Sequence, residues 1–292
     1  MSSTTTEMQQ QQQVNLSVNT ASPKEIPRGP VNASLTFYAP PPDGSAPFRY
    51  VETPPPGRPQ SNYTEDTHTV TINDIRGRET AYDINTNGFG VLQNLPPSAE
   101  KAFASDSSIQ NSYYPEVERL LLAAVPGATR IFLFDHTVRR SHPTAPRAPV
   151  TRAHIDQTRA SAEQRVLHHM GAEAPDLLKS RVRLINVWRP LNGPVFTSPL
   201  AFADSRSVPD SQLAGVQHRY PHRVGETAGV RYSAEGEWFY LSGMRDDERI
   251  LLQCYDSLDG ARTPHSAFVD PRTVGVGWPG RESIEVRALV FG

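Results

Sequence analysis

The last third of the chain is a succession of short apolar runs separated by turn residues, and this pattern restricts the fold more than any other feature. Residues 236–242, 250–255, 266–269 and 283–291 form these runs, and Gly, Asp and Pro residues lie between them. Such segments are typical of strands joined by tight turns. The pattern argues against an alternating βαβ fold and favours a fold built mainly from short strands.

The first two thirds add further strands and two helices. Strands are predicted at 69–72, 88–92, 128–134 and 181–188. A helix is predicted over 114–125, because Pro115 stands near its start and Gly127 lies just beyond its end. A second helix is predicted from Asp156 to about Met170. We therefore expect a mostly β fold with packed helices, arranged as a distorted jelly roll.

Composition divides the chain into a polar tail and one domain. Residues 1–30 are rich in Ser, Thr, Gln, Asn and Pro and contain few large apolar side chains, so we expect them to be disordered. Residues 31–292 are expected to form a single domain. Within it, the proline-rich segment 40–59 should run as an extended surface loop, since proline donates no backbone hydrogen bond.

Charge and hydropathy exclude several classes of function. The formal net charge is -2, which leaves no basic surplus for a dedicated nucleic-acid binder or a polybasic membrane binder. No apolar stretch approaches the ~18 residues of a membrane span. We expect a soluble cytoplasmic protein that acts on a small molecule. Cys254 is the single cysteine and lies in an apolar run, so it is predicted to be a core residue, and any metal must be held by His and carboxylate groups.

The candidate metal ligands are His154, Asp156 and His265. His154-Ile-Asp156 is the only His-x-Asp/Glu in the sequence, and in an extended segment residues i and i+2 project to the same side. A surface His beside a helix N-cap Asp is the competing interpretation. His265, which opens an apolar strand, is the best placed third ligand. His218 and His222 are rivals, but they lie in a polar, charged segment that we expect to be a loop. Two His and one carboxylate match the facial triad of non-haem Fe(II) sites.

A dicarboxylate co-substrate such as 2-oxoglutarate needs a guanidinium with a hydroxyl beside it. Arg281-Glu-Ser283 offers that pair on one face of the terminal strand, where Arg287 either pairs with Glu285 or reaches the co-substrate. Arg-x-Ser occurs four times in the chain, but only this one follows His265 and heads the last strand.

One other motif is present and carries little weight. Residues 275–280 match GxGxxG, the dinucleotide-binding pattern, which requires a helix after it. A strand follows instead, and then the chain ends, so we interpret the glycines as turn residues.

Several segments together resemble a known family, the fungal hydroxylase/desaturase family. This family is related to the cephamycin methoxylation protein and to gibberellin desaturase-like sequences, and it includes an aziridine-forming oxygenase of aminoisobutyrate biosynthesis. The resemblance runs from about residue 35 to the C-terminus. The segments that carry it are His154-x-Asp156, Asn186-Val-Trp-Arg-Pro-Leu191, Asp256-Ser257, Pro264-His265-Ser-Ala-Phe268 and Arg281-Glu-Ser-Ile-Glu-Val-Arg287.

The resemblance implies a double-stranded β-helix enzyme that uses Fe(II), 2-oxoglutarate and O2, usually in fungal secondary metabolism. The chain departs from plant-type oxygenases in the longer gap of fifteen residues between His265 and Arg281, which makes Arg272 an alternative anchor for 2-oxoglutarate. The residues expected to line the substrate pocket are Asn186, Trp188, Arg189, Tyr232, Trp238 and Tyr240. Arg189 would suit a substrate carboxylate.

Two other functions remain compatible with the same ligands. One is a cupin-like metal dioxygenase or isomerase that does not use 2-oxoglutarate. The other is a non-catalytic metal-binding accessory protein, which would tolerate the loss of Asp156.

Overall fold

A computed structural model describes residues 25–142, 144–258 and 260–292. Two β-sheets account for most of this part of the chain. The strands in chain order are β1 Val31–Ala39, β2 Phe48–Tyr50, β3 Thr64–Asp74, β4 Phe89–Leu92, β5 Arg130–Arg140, β6 His154–Ile155, β7 Val182–Pro190, β8 Leu200–Ala203, β9 Leu213–Arg219, β10 Val224–Val230, β11 Trp238–Tyr240, β12 Arg249–Asp256, β13 His265–Ala267 and β14 Glu282–Phe291.

Helices are few and short. They are α1 Asp106–Ser108, a π-helical turn at Ile109–Tyr113, α2 Tyr114–Ala124, α3 Arg159–Met170 and α4 Ala174–Leu177, with 3-10 turns at Glu79–Ala81, Gly171–Glu173, Ser205–Ser207, Asp210–Gln212 and Pro271–Thr273. No helix in the described residues is long and apolar enough to cross a membrane.

The strands form a nine-stranded sheet and a five-stranded sheet. The larger sheet has the order β1-β3-β11-β8-β13-β6-β10-β9-β2, and the smaller has the order β4-β12-β7-β14-β5. Neighbouring strands are mostly antiparallel, and the small sheet is antiparallel throughout. The predicted mostly β fold with packed helices, arranged as a double-stranded β-helix, is therefore confirmed.

The small sheet is buried on both faces, and this is why β7 is buried along its whole length. One face looks toward the nine-stranded sheet, and the other is covered by α2. On the covered face, Val187 and Val286 pack against Val117 and Leu121 of the helix. We call these the inner and outer faces of the small sheet. Cys254 of β12 is buried in the core, as predicted.

Helix α2 lies where the sequence predicts it, whereas α3 begins one turn later than predicted. Pro115 is the second residue of α2, and Gly127 adopts a positive φ of 77° after its end. Helix α3 begins only at Arg159, because Thr158 caps it by accepting from the backbone N–H of Ser161. Asp156 therefore lies before the helix, and it is not the N-cap residue that the competing interpretation required.

The polar segment around His218 was predicted as a loop and is in fact a strand. His218 lies in β9, where it is paired with Gly225 of β10. The segment 40–59 contains the short strand β2 at the edge of the large sheet. The predicted tail, residues 1–30, falls largely outside the described residues. Near its end, Arg28 donates to the carbonyl and hydroxyl oxygens of Ser242, and the domain boundary at residue 31 stays a prediction.

Candidate metal centre and co-substrate cavity

The three predicted metal ligands converge between the two sheets. His154 of β6 and His265 of β13 are directly paired on adjacent strands, and their ring centroids are 4.6 Å apart. Asp156 follows β6, with its Oδ1 3.3 Å from Nε2 of His154. One potential ligand atom from each residue lies within 4.8 Å of the others. Two imidazoles and one carboxylate therefore share a space that a single ion can occupy.

Backbone carbonyl groups orient both imidazoles. Nδ1 of His154 lies 2.8 Å from the carbonyl oxygen of Arg152, and Nδ1 of His265 lies 3.2 Å from that of Thr263. A carbonyl only accepts hydrogen bonds, so each Nδ1 carries the proton and each Nε2 keeps its lone pair for a metal. Burial, and then the neighbouring His154, lower the pKa of His265 to about 4, so this ring is neutral at pH 7, as a ligand must be.

Asp156 is held from behind by two residues of the small sheet. Its Oδ2 accepts hydrogen bonds from Nδ2 of Asn186 and from Nε of Arg287, each at 2.7 Å. Asn186 and Arg287 are cross-strand partners on β7 and β14. Burial alone would raise the pKa of Asp156, but Arg287 and the two histidines outweigh it, and the pKa lies well below its usual value. The carboxylate is therefore ionised, and its Oδ1 is left for a metal.

A cavity beside the histidines contains the predicted co-substrate anchor. Its lining residues are Thr137, Arg139, Val150, His154, Trp188, Leu200, His265, Ser266, Ala267, Arg281, Ser283 and Glu285. The cavity is small, with about 30 Å³ of accessible space.

Arg281 is the most unusual residue of this cavity. It is 3% exposed, it lies 5.3 Å from the ring centroid of Trp188, and its Nη1 donates to the carbonyl of Ser198 at 2.5 Å. Its buried Nε has no hydrogen-bond partner. Burial, and then the nearby Arg139, lower its pKa to about 9. The guanidinium holds its charge against desolvation, and a bound carboxylate would relieve that cost.

The other predicted site residues occupy different positions. Arg287 contacts Asp156, Glu285 and Asp135, so its charge is engaged by protein carboxylates. Arg272 pairs with Asp270 and donates to the hydroxyl of Tyr240, and it does not line the cavity.

Of the residues expected in the substrate pocket, the structure brings two to this region. Trp188 lines the cavity and Asn186 binds Asp156. Arg189 lies on the outer face of the small sheet, over the rings of Phe103 and Tyr113.

The remaining three aromatic residues lie away from the cavity. Trp238 and Tyr240 pack in the core beside β1, and Tyr232 stacks on His68 with a centroid distance of 3.6 Å.

Sequence reasoning did not select Arg139, Thr137 and Glu285, which also line the cavity. Arg139 had a usable signal, because it belongs to one of the four Arg-x-Ser matches. It is the cross-strand partner of Ser283. His218 is not among the clustered ligand atoms, but it lies near enough to His154 and Asp156 for their charges to influence its pKa.

A jelly roll that carries two histidines and one carboxylate between its sheets has the donor set of mononuclear non-haem iron oxygenases. Comparison with known proteins agrees with that class. Residues 35–291 match the family described as Oxidoreductase/YMDC permease-like domain. Hydroxylase/desaturase poxK of Penicillium oxalicum is 36% identical over 303 residues, covering 91% of this chain and 92% of poxK.

Two further comparisons, one with a sequence and one with a solved structure that share the name NvfI, carry cofactor names. Fe(II)/2-oxoglutarate-dependent dioxygenase nvfI of Aspergillus novofumigatus is 34% identical, covering 83% of this chain and 90% of its own length. A solved structure of the iron and alpha-ketoglutarate-dependent endoperoxidase NvfI has a TM-score of 0.82 and 31% identity, covering 91% of this chain and 99% of that chain. This chain belongs to that fungal family of hydroxylase/desaturases, which are Fe(II)/2-oxoglutarate-dependent dioxygenases. The predicted family, enzyme class and cofactor set are confirmed at this level.

Proposed function

We propose that this enzyme uses Fe(II), 2-oxoglutarate and O2 to oxidise a C–H bond of a small metabolite in fungal secondary metabolism. His154, Asp156 and His265 hold the iron, and Arg281 and Ser283 hold the far carboxylate of 2-oxoglutarate. The observation that carries this assignment is Arg281, a buried cation beside the histidines that has no carboxylate at ion-pair distance in the described residues.

The donor set fits an iron(II) ion. Both histidines present Nε2 because their Nδ1 atoms are engaged by carbonyl groups, and Asp156 supplies the negative charge. Nitrogen and carboxylate donors without thiolate suit a borderline divalent metal. When bound, Fe(II) and 2-oxoglutarate would activate O2, which is the oxidant: 2-oxoglutarate would give up two electrons as it is converted to succinate and CO2, and the C–H bond of the substrate would supply the other two. The chain's own residues position these groups and exclude water.

Asn186 and Arg287 act on the metal site through Asp156. They occupy Oδ2 with two charge-assisted or polar hydrogen bonds and so fix the carboxylate's orientation before a metal arrives. Arg287 also keeps the carboxylate ionised. We infer that this is the role of Arg287, in place of direct contact with 2-oxoglutarate.

The substrate is a small molecule, and we propose that it carries a carboxylate. Arg139 lines the cavity, and among the described residues no acidic side chain lies at ion-pair distance from it. One of its Nη atoms donates to the carbonyl of Ala148. Once Arg281 is occupied by 2-oxoglutarate, Arg139 is the cation left to attract a second anion. Hydroxylation, desaturation and ring closure are all open to such a substrate.

A metal dioxygenase or isomerase that does not use 2-oxoglutarate would not explain why Arg281 is buried beside the histidines. A non-catalytic accessory protein would not explain why Asp156 is held by two hydrogen bonds. One experiment tests both alternatives. We also keep the expectation that the enzyme acts in the cytoplasm, which imaging of a fluorescent fusion would test.

The test is anaerobic reconstitution of the full chain with Fe(II) and 2-oxoglutarate, followed by visible spectroscopy. We expect a weak metal-to-ligand charge-transfer band that is absent in Asp156→Ala. On admission of O2 we expect succinate. A protein that binds Fe(II) but gives neither the band nor succinate would rule out the use of 2-oxoglutarate.

A further inference from the structure

The outer face of the small sheet carries two buried arginines side by side. Ile250 of β12 is paired with Trp188 of β7, and continuing that register places Arg249 opposite Arg189. The two residues are 4% and 6% exposed. Like charges at directly opposite positions of adjacent strands are destabilising, and their burial increases the cost. This arrangement calls for a compensating group.

Protein atoms compensate the two guanidinium groups only in part. Arg249 donates through Nη1 to the carbonyls of Asp246 and Glu248, and Arg189 donates through Nε to that of Pro190. Nη1 of Arg189 is buried without a hydrogen-bond partner. In the described part of the chain, no carboxylate forms an ion pair with either arginine.

Acidic groups near the two arginines offset this charge only in part. Burial lowers the pKa of Arg249 and Glu116 opposes that shift, but Glu116 forms no ion pair with it and accepts from the backbone N–H of Ala99. Asp247 pairs with Arg245, and Glu100 accepts from the backbone N–H groups of Ala102 and Phe103. The hydroxyl of Tyr113 is buried without a hydrogen bond of good geometry, but it lies close enough to both guanidinium groups for their charge and hydrogen-bonding contact to oppose the rise in its pKa that burial causes. Three buried polar groups therefore meet at one place with donor capacity to spare.

A large cavity opens beside these groups. It measures about 580 Å³ and is lined by Arg249, by Tyr113, by the apolar face of α2 and by the segment 92–97. A smaller cavity of about 170 Å³ includes Arg189 in its lining and shares Leu95 and Pro97 with the first. Ligand pockets for small organic molecules measure about 300–1,000 Å³. The walls are mainly apolar. Their charged residues are Arg249, which is buried, and Glu116 and Arg119 of α2.

We propose that this cavity is a second binding site, which takes an amphipathic monocarboxylate with its carboxylate on Arg249, Arg189 and Tyr113 and its apolar body along α2. The site is separate from the metal centre, because Trp188 faces the catalytic cavity and Arg189 faces the opposite side of the same strand. An anion here satisfies the unpartnered Nη1 of Arg189, and a bidentate carboxylate matches the guanidinium geometry. The proposal does not depend on the identity of the oxidised substrate.

The test is calorimetric titration of the full-length protein with dodecanoate, using dodecanol and acetate as partial mimics. We expect dodecanoate to bind and the neutral alcohol to bind at least about ten-fold more weakly. Acetate should also bind weakly, since it lacks the apolar body. Equal affinity for the alcohol would overturn the proposal by showing an apolar pocket without charge recognition.

Variants locate the bound probe. Arg249→Gln and Arg189→Gln should each weaken dodecanoate binding by about ten-fold, while Arg119→Gln, at the exposed rim of the same cavity, should not. Arg281→Gln should leave binding unchanged, since that residue lies in the catalytic cavity. If Arg281→Gln or Arg119→Gln weakens dodecanoate binding while the Arg249 and Arg189 variants do not, the carboxylate binds elsewhere and the assignment is wrong.

A steric variant keeps the test valid if the arginine variants fold poorly. Ala123 lines the cavity from the exposed side of α2. Ala123→Trp should fill the apolar part and abolish dodecanoate binding, while thermal unfolding and charge-transfer band formation with Fe(II) and 2-oxoglutarate stay unchanged. Undiminished binding in this variant would contradict the site.

Discussion

The two faces of the small sheet both bury arginines, but they treat the charge differently. On the inner face, Arg287 forms ion pairs with Asp156, Glu285 and Asp135. On the outer face, Arg189 and Arg249 form none with any described residue, and they rely on carbonyl groups and aromatic rings. The side chain of Arg287 is 13% exposed, against 6% and 4% for residues Arg189 and Arg249, so the arginine with carboxylate partners is not the most deeply buried one.

The difference distinguishes arginines that stabilise the fold through ion pairs from arginines that are available to bind an anionic ligand. A buried cation with carboxylate partners is part of the folded network, and removing it leaves uncompensated charge. A buried cation without such partners weakens the folded protein until an anion binds. By this criterion Arg281, although it lies on the inner side, belongs with Arg189 and Arg249. Substitutions on each side test the distinction.

The largest effect is expected for Arg287→Met. Asp156 and Glu285 would lose their shared cation while staying buried, so the free energy of unfolding should fall by about 3–5 kcal/mol. Urea denaturation of the metal-free protein measures this. Arg287→Lys keeps the charge but loses the planar set of donors, so its free energy of unfolding should lie between those of the wild type and Arg287→Met. A change of less than about 1 kcal/mol in Arg287→Met would mean that the network does not stabilise the fold.

Arg281→Met should reverse that pattern. Affinity for 2-oxoglutarate should fall by about 100-fold, the effect of removing one partner of a buried charge pair. The free energy of unfolding should change by less than about 1 kcal/mol, because no carboxylate loses a partner. Titration of the charge-transfer band measures the affinity. Arg272→Met is the matched control and should bind 2-oxoglutarate normally; the opposite result would make Arg272 the anchor.

Arg189→Met examines the outer face in the absence of any ligand. Methionine keeps the contact with the rings of Phe103 and Tyr113 but removes an unpaired buried charge. The free energy of unfolding should stay the same or rise by about 1–2 kcal/mol. Denaturation of this variant beside Arg287→Met compares the two faces directly. A loss as large as that of Arg287→Met would remove the distinction between them.

The smallest effect is expected from His218. Burial, and then Arg152 and Arg49, lower its pKa to about 4, well below the ordinary value of 6.5. Below about pH 6.5 the unfolded chain therefore binds a proton at His218 that the folded protein does not bind. The free energy of unfolding should fall as the pH decreases toward 4.

His218→Gln should flatten part of this decline, because its amide can still bond to the hydroxyl of Thr227. Thermal unfolding between pH 7 and pH 4.5 tests this. His265 shifts in the same direction and is retained, so some decline should persist. An unaltered profile would show that His218 titrates normally.

The sequence predicts the fold well where local signals and burial agree. Helix α2 has a proline near its start and a glycine after its end. Strand β12 is largely apolar, and β14 alternates before it ends in an apolar run, so each was located to within a few residues. Strands β9 and β10 were not predicted, because His218, Arg219 and Glu226 interrupt any alternation. They lie near an edge of the large sheet, where partial exposure permits polar side chains.

The site is predictable to the extent that neighbours in sequence are neighbours in space. His154 and Asp156 lie two residues apart, and Ser283, Glu285 and Arg287 share one face of a strand by alternation alone. The direction in which an aromatic residue faces depends on distant partners. Trp238 and Tyr240 project to the same side of β11, as alternation predicts, but that side packs beside β1 and not against the cavity. Only the pairing of the strands into sheets determines which side this is. The contact between Arg287 and Asp156 spans 131 positions and has no local signal.

The buried position of Cys254 has a practical consequence for an enzyme that handles O2. Burial, together with the charges of Asp156 and Glu285, raises the pKa of its thiol well above the usual value. The thiolate is the form that peroxides attack and that exchanges disulfides, so it is nearly absent here. The chain has no other cysteine. Repeated turnover in air should therefore leave the protein free of sulfenic acid and of disulfide-linked dimers, and a cysteine introduced at the surface would be the sole site for thiol-specific labelling.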